Sequence, residues 1–306
     1  MKKFFCLIVY GFFRCVSLLP LSVLFFLSDI FVYPLIYHVV RYRLKVVRTN
    51  LKNSFPEMPE KDLRQIERRF YHHFCDSFSE TIRILSMSKK EALKRMNFVN
   101  PEMVTDHTKK GQGVMVVLGH YGNWEYQPFL FFSMLESGNQ QGFSVYRPLK
   151  NKVFDYLYMK IRTHFKGGII TKENTYRTII RLRREGIAGV FGLVCDQSPS
   201  KANLHYWTTF LNQDTSILMG PERMAKKTGF AVVYADVTKL GRGHYQTRFT
   251  LISDNAQETP ENDITERYAR LMEKTILRDP AYWLWSHKRW KHKRTDDGSN
   301  ANDNII

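Results

Sequence analysis

The feature that most constrains the fold is an alternation of short apolar runs with longer stretches of helical periodicity across residues 101–294. Short apolar runs bounded by glycine or proline are typical of buried strands. Such strand-like runs occupy 114–118, 143–146, 187–194, 230–237 and 245–252. The stretches between them predict helices at 152–165, 174–184, 221–229 and 264–277. This alternation predicts an α/β fold, with a central mixed or parallel sheet flanked by helices.

An apolar segment precedes this region and carries only Arg14 and Asp29 as formal charges between residues 4 and 40. It is too long for the core of a signal peptide. A single spanning helix needs about 20 uninterrupted apolar residues, whereas Pro20 and Pro34 interrupt this one. Basic residues flank both ends, which favours two helices broken near Pro20 that enter one leaflet or form a hairpin. A buried pair of soluble helices is the alternative.

These patterns divide the chain into four parts. Residues 1–48 form the apolar, membrane-associated helical segment. Residues 49–100 form a helical region that packs on the α/β domain, because apolar residues recur three or four apart from Leu63 to Leu85. Residues 101–294 form the α/β domain. The polar stretch 295–306 is predicted to be a disordered tail.

Charge, motifs and cysteine content indicate which partners and sites to expect. The net charge of +17 suits nucleic acid, an anionic lipid surface or a phosphorylated substrate, and does not choose among them. No zinc finger or RNA-recognition motif is present, so nucleic acid is not an expected partner. The four cysteines are scattered without a Cys-x-x-Cys pair, so neither a metal site nor a disulfide framework is expected.

The run from Leu118 to Tyr126 carries the candidate chemistry, because it follows a predicted buried strand and polar sites gather at the carboxyl ends of such strands. His120 is a natural base for a hydroxyl proton. Glu125 could accept the other ring N–H and orient the imidazole, and Asn123 could cap a following helix. No serine or cysteine nucleophile stands beside them, which favours direct attack by a substrate hydroxyl. A packed histidine beside an unrelated glutamate is the alternative.

The spacing His-x-x-x-x-Glu within this run resembles the signature of the lysophospholipid acyltransferase superfamily. The closest resemblance is to its lipid A biosynthesis (late, lauroyl/myristoyl) acyltransferase branch. Four further features occur in the same order and extend the resemblance to about Arg294. They are Val-Tyr-Arg-Pro at 145–148, Cys-Asp-Gln at 195–197, a Gly-x-x-x-Met-Ala helix at 220–225, and a tryptophan-rich segment at 282–290.

The resemblance implies a role for each matching residue. His120 would be the general base on a hydroxyl of a glycolipid acceptor, and Glu125 its orienting carboxylate. Arg147 would hold a phosphate or stabilise the oxyanion, and Asp196 would organise that basic site; a surface cation and a turn cap are the plainer alternatives. Asn123 is grouped with them as a substrate-binding residue. No catalytic role is assigned to Gln197.

The same resemblance implies an O-acyltransferase at the bacterial inner membrane, with its catalytic domain facing the cytoplasm. The acyl donor would be a thioester of acyl carrier protein or coenzyme A, with no cofactor and no covalent acyl-enzyme. Membrane lipids and a glycolipid acceptor would be its partners. The basic segment 287–294 could bind lipid phosphates or an acidic carrier protein, or could be solvated. The helix face of Arg177, Arg181 and Arg184 could bind the acidic carrier protein, but a solvated surface is favoured.

Several functions remain open from sequence alone. The acceptor could instead be a phosphatidylinositol mannoside, an amino-acid lipid or a lysophospholipid. The protein could also be a non-catalytic, basic, membrane-surface binding protein. A hydrolase or metalloenzyme is disfavoured, because neither Gly-x-Ser-x-Gly nor His-Glu-x-x-His occurs in the chain.

Overall fold

A computed structural model describes residues 2–134, 140–165 and 167–294 of the chain. Its strands within these ranges are β1 (Met96–Phe98), β2 (Val114–Leu118), β3 (Gln140–Tyr146), β4 (Gly168–Thr171), β5 (Ala188–Val194), β6 (Trp207–Phe210), β7 (Gln213–Ser216), β8 (Ala231–Gly241) and β9 (His244–Ser253). Its α-helices are α1 (Lys2–Val16), α2 (Leu21–Leu27), α3 (Leu44–Ser54), α4 (Glu60–Arg83), α5 (Lys89–Arg95), α6 (Glu102–Lys109), α7 (Phe129–Met134), α8 (Lys152–Arg162), α9 (Thr175–Arg184), α10 (Gly220–Thr228) and α11 (Asp263–Arg278). The tail predicted at 295–306 lies outside the described residues.

Seven of these strands form one sheet in the order β1-β9-β8-β2-β5-β3-β4. Only β8 and β9 pair antiparallel; every other neighbouring pair runs parallel. The antiparallel pair β6–β7 lies apart from the sheet. The predicted fold class, a mixed and mostly parallel sheet flanked by helices, is confirmed.

Strand β2 is buried at every residue because both faces of the sheet are covered. Met115 and Val117 pack on one face, within the larger hydrophobic cluster. Val116 and Leu118 face the other side, with Leu130 and neighbouring side chains of α7. Successive side chains of a strand point to opposite faces of the sheet. The β2 residues that line the pocket described below are therefore not those that belong to the larger hydrophobic cluster.

The amino-terminal segment is helical and broken at Pro20, as predicted. Helix α2 continues through two π-helical turns, Ser28–Val32 and Leu35–Val39. Among the described residues, Leu21–Val39 is the one helix long and apolar enough to cross a membrane. One face of this helix packs on the rest of the protein, and its side chains Leu21, Leu24 and Phe25 are buried.

This segment runs antiparallel along α4. Near its start, Arg83 donates a hydrogen bond to the Ser17 carbonyl at 2.7 Å. Near its end, the Tyr37 hydroxyl donates to Glu67 Oε1 at 2.8 Å. Between these points the Tyr33 ring stacks on His72, with centroids 3.6 Å apart. The helix is therefore held against α4 along its length.

The sequence patterns did not predict the shortest strands. Strands β1 and β4 and the β6–β7 pair have three or four residues each, too few to show a clear period. The helix predicted from Asn123 is also wrong at its start. A single 3₁₀ turn, Trp124–Tyr126, comes first, and α7 begins only at Phe129.

Candidate active site

The site begins where two neighbouring parallel strands end. Leu118 of β2 and Val194 of β5 are register partners at the carboxyl ends of their strands. His120 lies two residues beyond Leu118, and Asp196 lies two residues beyond Val194. Because the strands are paired and parallel, both chains leave the sheet at the same edge, and the two polar side chains meet there.

Two hydrogen bonds join His120 to Asp196. The ring Nδ1 lies 2.6 Å from Asp196 Oδ1, and the backbone N–H of His120 donates to Oδ2 at 2.8 Å. The indole N–H of Trp283 donates to the same Oδ2 at 2.7 Å. A carboxylate can only accept, so the proton of a neutral His120 ring sits on Nδ1 and the basic lone pair is on Nε2.

The environment of Asp196 keeps it ionised. Burial by itself would raise the pKa of this carboxyl, which is 5% exposed. Attraction to His120 and the hydrogen bonds from His120 and Trp283 outweigh burial and lower the pKa to about 2. Asp196 is thus a fixed negative charge behind the imidazole at any physiological pH.

Gln197 contacts the other side of the ring. Its Nε2 lies 3.2 Å from His120 Nε2, so the amide can donate to the imidazole lone pair. Sequence reasoning gave Gln197 no role and missed this contact. The signal was its position next to Asp196, just beyond the end of β5.

The structure does not bring the Glu125 carboxylate, which was predicted to orient His120, to the imidazole ring. Its carboxylate is buried and accepts two hydrogen bonds from Arg162 of α8, at 2.7 and 2.5 Å. The His120 ring nitrogens have Asp196 and Gln197 as their partners instead. The five-residue spacing does not bring Glu125 to the ring, because a tight turn rather than a helix separates the two residues. Asp196 occupies the position beside His120 Nδ1 that was expected of Glu125.

Asn123, which was grouped with the substrate-binding residues, is not among the side chains that line the pocket at His120. It is 1% exposed. Its side-chain oxygen accepts from the Glu125 backbone N–H at 3.1 Å, so it caps the 3₁₀ turn. Its amide donates to Glu80 Oε2 at 2.9 Å, and Tyr245 donates to the same buried carboxylate. Asn123 therefore holds the 3₁₀ turn in place through its hydrogen bonds to Glu80 and to the Glu125 backbone.

His120 opens into a pocket of about 700 Å³. Every second residue of three strands forms its floor: Val116 and Leu118 of β2, Gly192 and Val194 of β5, and Ser144 and Tyr146 of β3. Leu130 and Phe131 of α7 also line the pocket. Glu125 and Arg162 form part of the wall. A pocket of this size with an apolar floor and polar groups at one end suits a hydrocarbon chain with a reactive head.

Arg147 lies on the pocket, as the sequence predicts for a substrate-binding residue. It is exposed and lines the pocket with Lys150, in the segment between β3 and α8. Asp196, which was expected to organise this basic site, is bonded to His120 and Trp283 instead. Two exposed cations at one opening favour an anionic group there.

The loop between Leu118 and Asn123 requires glycine at two positions. A Cβ on Gly119 would lie 2.4 Å from Met272 Sδ and 3.1 Å from Asp196 Oδ2. Gly122 has a φ of +61°, a conformation unfavourable for other residues. The close packing at Gly119 and the positive φ at Gly122 therefore both require glycine in this loop.

The tryptophan-rich segment near the end of the described chain closes the site. Tyr121 and Trp283 form an isolated antiparallel bridge, and the Leu284 N–H donates to the His120 carbonyl at 3.1 Å. Farther along, Arg289 and Trp290 are buried. Burial lowers the pKa of Arg289 to about 10. Segment 287–294 was expected either to be solvated or to bind lipid phosphates at the surface. The burial of Arg289 agrees with neither expectation for that residue.

Comparison with known proteins agrees with this geometry. Residues 1–292 match the family model described as bacterial lipid A biosynthesis acyltransferase. The chain is 22% identical over 276 residues to the lipid A biosynthesis lauroyltransferase of Escherichia coli, covering 85% of this chain and 86% of that one. It is 21% identical to the lipid A biosynthesis palmitoleoyltransferase of Escherichia coli, over 85% and 82% of the two chains. A lipid A biosynthesis acyltransferase of Haemophilus influenzae is 22% identical over 81% and 78%.

Proposed function

The chain belongs to the bacterial lipid A biosynthesis acyltransferase family, and from that premise we propose the chemistry of its reaction. The enzyme transfers a fatty acyl chain from an acyl thioester to a hydroxyl group of a lipid A-type glycolipid. His120 is the general base, and Asp196 orients it. The observation that carries this proposal is the His120 ring, held by Asp196 on one side and turned toward an apolar pocket on the other.

The reaction is a direct acyl transfer. His120 Nε2 removes the proton from the acceptor hydroxyl, whose oxygen attacks the thioester carbonyl. A new C–O bond forms, the C–S bond breaks, and the proton passes from Nε2 to the departing thiolate. Asp196 stabilises the imidazolium that exists between these two proton transfers.

Two observations support a transfer without an acyl-enzyme. Among the described residues, the side-chain partners of the His120 ring nitrogens are Asp196 and Gln197, neither of which offers the hydroxyl or thiol that a histidine base activates. Cys195 is adjacent in sequence, but its thiol is buried and donates to the Leu193 carbonyl. Burial raises the pKa of this thiol well above its usual value, which disfavours the reactive thiolate.

The acyl donor is a thioester of acyl carrier protein or of coenzyme A. Both present a thioester on a phosphopantetheine arm, and its phosphate suits the cations Arg147 and Lys150 at the pocket. The apolar floor then receives the acyl chain. Initial rates with the two donors at equal concentration identify the one that is used.

The amino-terminal helices attach the enzyme to a membrane. They present a continuous set of exposed apolar side chains, which is unusual for a soluble surface of this size. The set comprises Phe4, Phe5, Leu7, Ile8, Phe12, Leu18, Leu19, Val23, Phe26, Ile30, Phe31, Leu35, Val39 and Val40. Helix α1 also packs on α8, the helix that carries Arg162 of the pocket wall, so a lipid acceptor can reach the pocket along the membrane surface.

The attachment is to one leaflet rather than across the bilayer. The potential spanning helix is docked along α4, which carries Arg64, Glu67, Arg68 and Arg69. A transverse helix would bring these charges toward the hydrocarbon, at a high free-energy cost. An in-plane segment leaves them at the interface, and the catalytic domain then remains on the cytoplasmic side.

Substitution of His120 by alanine tests the proposed reaction. We expect acylation of a lipid A-type acceptor to be lost, while the melting temperature and membrane attachment stay as in the wild type. Unaltered acylation by the folded variant would contradict the proposal. Mass spectrometry of the lipid A of cells lacking the protein identifies the acceptor position and the acyl chain.

A further inference from the structure

The tryptophan-rich segment has a contact with the catalytic centre that general base chemistry alone does not require. Trp283 is 2% exposed, and its indole N–H donates to Asp196 Oδ2 at 2.7 Å. The same oxygen accepts from the His120 backbone, while Oδ1 faces His120 Nδ1. The carboxylate is thereby fixed at one oxygen and presented to the ring with the other.

We propose that Trp283 is a positioning residue that acts through Asp196 to limit the pull of that carboxylate on the His120 ring. This inference rests on the proposed role of His120 as the general base. An imidazole with too strong a carboxylate partner stays protonated and cannot accept the hydroxyl proton. By sharing the negative charge of Asp196, the indole N–H weakens the stabilisation of the imidazolium and favours the neutral, reactive imidazole.

The direction of the effect follows from hydrogen-bond competition. A carboxylate that donors already satisfy interacts less strongly with a further donor. Loss of the indole N–H concentrates the charge of Asp196 on its bond to His120 Nδ1 and stabilises the imidazolium. Removal of the Trp283 donor should therefore shift deprotonation of the base to higher pH.

Other ionisable groups near this pair remain unchanged in the test. Cys195, Tyr268, His287 and Arg289 surround Asp196. Glu125 shares the pocket with His120 but is bonded to Arg162. Gln197, on the far side of the ring, carries no charge. Trp283→Phe removes the indole hydrogen bond to Asp196 and none to these groups, so a shift of the pH profile reports the loss of the indole N–H.

Trp290 provides a matched control. It packs against Trp283 with ring centroids 6.0 Å apart and is buried as well. Among the described residues its indole nitrogen has no hydrogen-bond partner. Trp290→Phe therefore removes the same atoms from the same aromatic cluster without removing a donor from Asp196.

The experiment compares the pH profiles of kcat/KM for the wild type, Trp283→Phe and Trp290→Phe. We expect the acidic limb of Trp283→Phe to move to higher pH by about half a unit to one unit, the scale of the net contribution of one ordinary hydrogen bond. Trp290→Phe should leave the limb in place. An unmoved limb in Trp283→Phe, or an equal movement in both variants, would overturn the proposal and leave Trp283 with a packing role only.

A second measurement covers the case in which Trp283→Phe does not fold. A ring-fluorinated tryptophan at position 283 keeps the shape but is a stronger N–H donor, so it should move the acidic limb to lower pH. NMR titration of the His120 ring, assigned with His120→Ala, reads the same shift without substrate. That titration separates the two hypotheses: retained activity in His120→Ala contradicts the proposed function, whereas an unshifted ring titration in the fluorinated protein contradicts only the role of Trp283.

Discussion

His120 and Asp196, which are 76 residues apart in the chain, are joined by one bond from the imidazole and one from the backbone. The pair fixes both the direction of the ring and the identity of the free nitrogen. Neither feature depends on Glu125, which stands five residues from His120 and is held by Arg162.

Asp196→Asn tests this relationship directly. An amide cannot balance the imidazolium and can hold the ring in the wrong tautomer, so we expect kcat to fall by about 10⁴-fold, the scale known for such orienting carboxylates. Single-turnover acyl transfer with folded protein measures the effect. Asp214→Asn, at an exposed position of β7, is the control and should retain the full rate. A near-native rate in Asp196→Asn would exclude Asp196 as the orienting residue.

Glu125→Gln should mainly lower the stability of the fold rather than change the protonation of the catalytic base. It leaves the largely buried Arg162 without its counter-charge, and we expect the free energy of unfolding to fall by about 3 kcal/mol. The double variant Glu125→Gln, Arg162→Met removes both charges and should recover part of this loss. Chemical denaturation measures both effects. If Glu125 oriented the base, Glu125→Gln would instead move the acidic limb of the pH profile at unchanged stability.

Gly192→Leu should shorten the acyl chain that the enzyme accepts. A Cβ at Gly192 fits without strain, since its nearest neighbours, the Phe131 ring and the Phe143 carbonyl, lie 3.8 Å away. The rest of the leucine side chain would fill the apolar floor of the pocket. Competition among acyl donors of different length, read by mass spectrometry of the product, should show a shift to shorter chains. Gly241→Leu, on the exposed β8–β9 hairpin, should leave the preference unchanged.

Glu80 should make stability depend on pH in a defined window. Burial raises the pKa of this carboxyl from 4.5 to about 7, despite the nearby Lys239 and the hydrogen bonds from Asn123 and Tyr245. A raised folded-state pKa gives stability that is present below pH 4.5 and is lost as the pH rises to about 7. The loss is on the order of 3 kcal/mol. In Glu80→Gln this pH-dependent part should be absent, as measured by urea unfolding at pH 4.5 to 8; parallel curves for the two proteins would refute it.

Phe26→Ser combined with Phe31→Ser should weaken attachment to lipid vesicles. The two side chains are 60% and 63% exposed, and loss of two buried aromatic rings reduces partitioning by ~10-fold or more. Vesicle co-sedimentation measures this change. Leu277→Ser, at a 56% exposed position on α11, is the control. Equal loss in the control, or none in the phenylalanine variant, would contradict the proposed membrane face.

The sequence predicted the parts of this fold that have a strong period or a long apolar run. The strand at Val114–Leu118 and the helix ending at Gly229 lie where their residues indicated. His120 was placed correctly at a strand end, because that depends only on local order. Its partner was not, since pairing of β2 with β5 is a property of the sheet and not of either strand alone. With that pairing known, residues two beyond Leu118 and Val194 would have been expected to meet.

Glu125 shows why spacing misled. Five residues bring two side chains near each other on some backbones, but the turn after Gly122 directs Glu125 toward α8. Arg162 was not a candidate in the sequence because nothing local marks a helix residue as the partner of a carboxylate 37 positions earlier. Its burial against Tyr158 and Tyr146 becomes visible only when the sheet and α8 are assembled.

Closure of the site by the segment around Trp283 has a consequence for biosynthesis. A ribosome makes the apolar helices before the Trp283 segment, with an interval of about 10 to 50 s at ~5–20 residues per second. The nascent protein can therefore reach the membrane before the Trp283 indole donates to Asp196 and before the Leu284 N–H donates to the His120 carbonyl. A chain arrested before Trp283 would retain its membrane-binding surface but lack a finished catalytic centre.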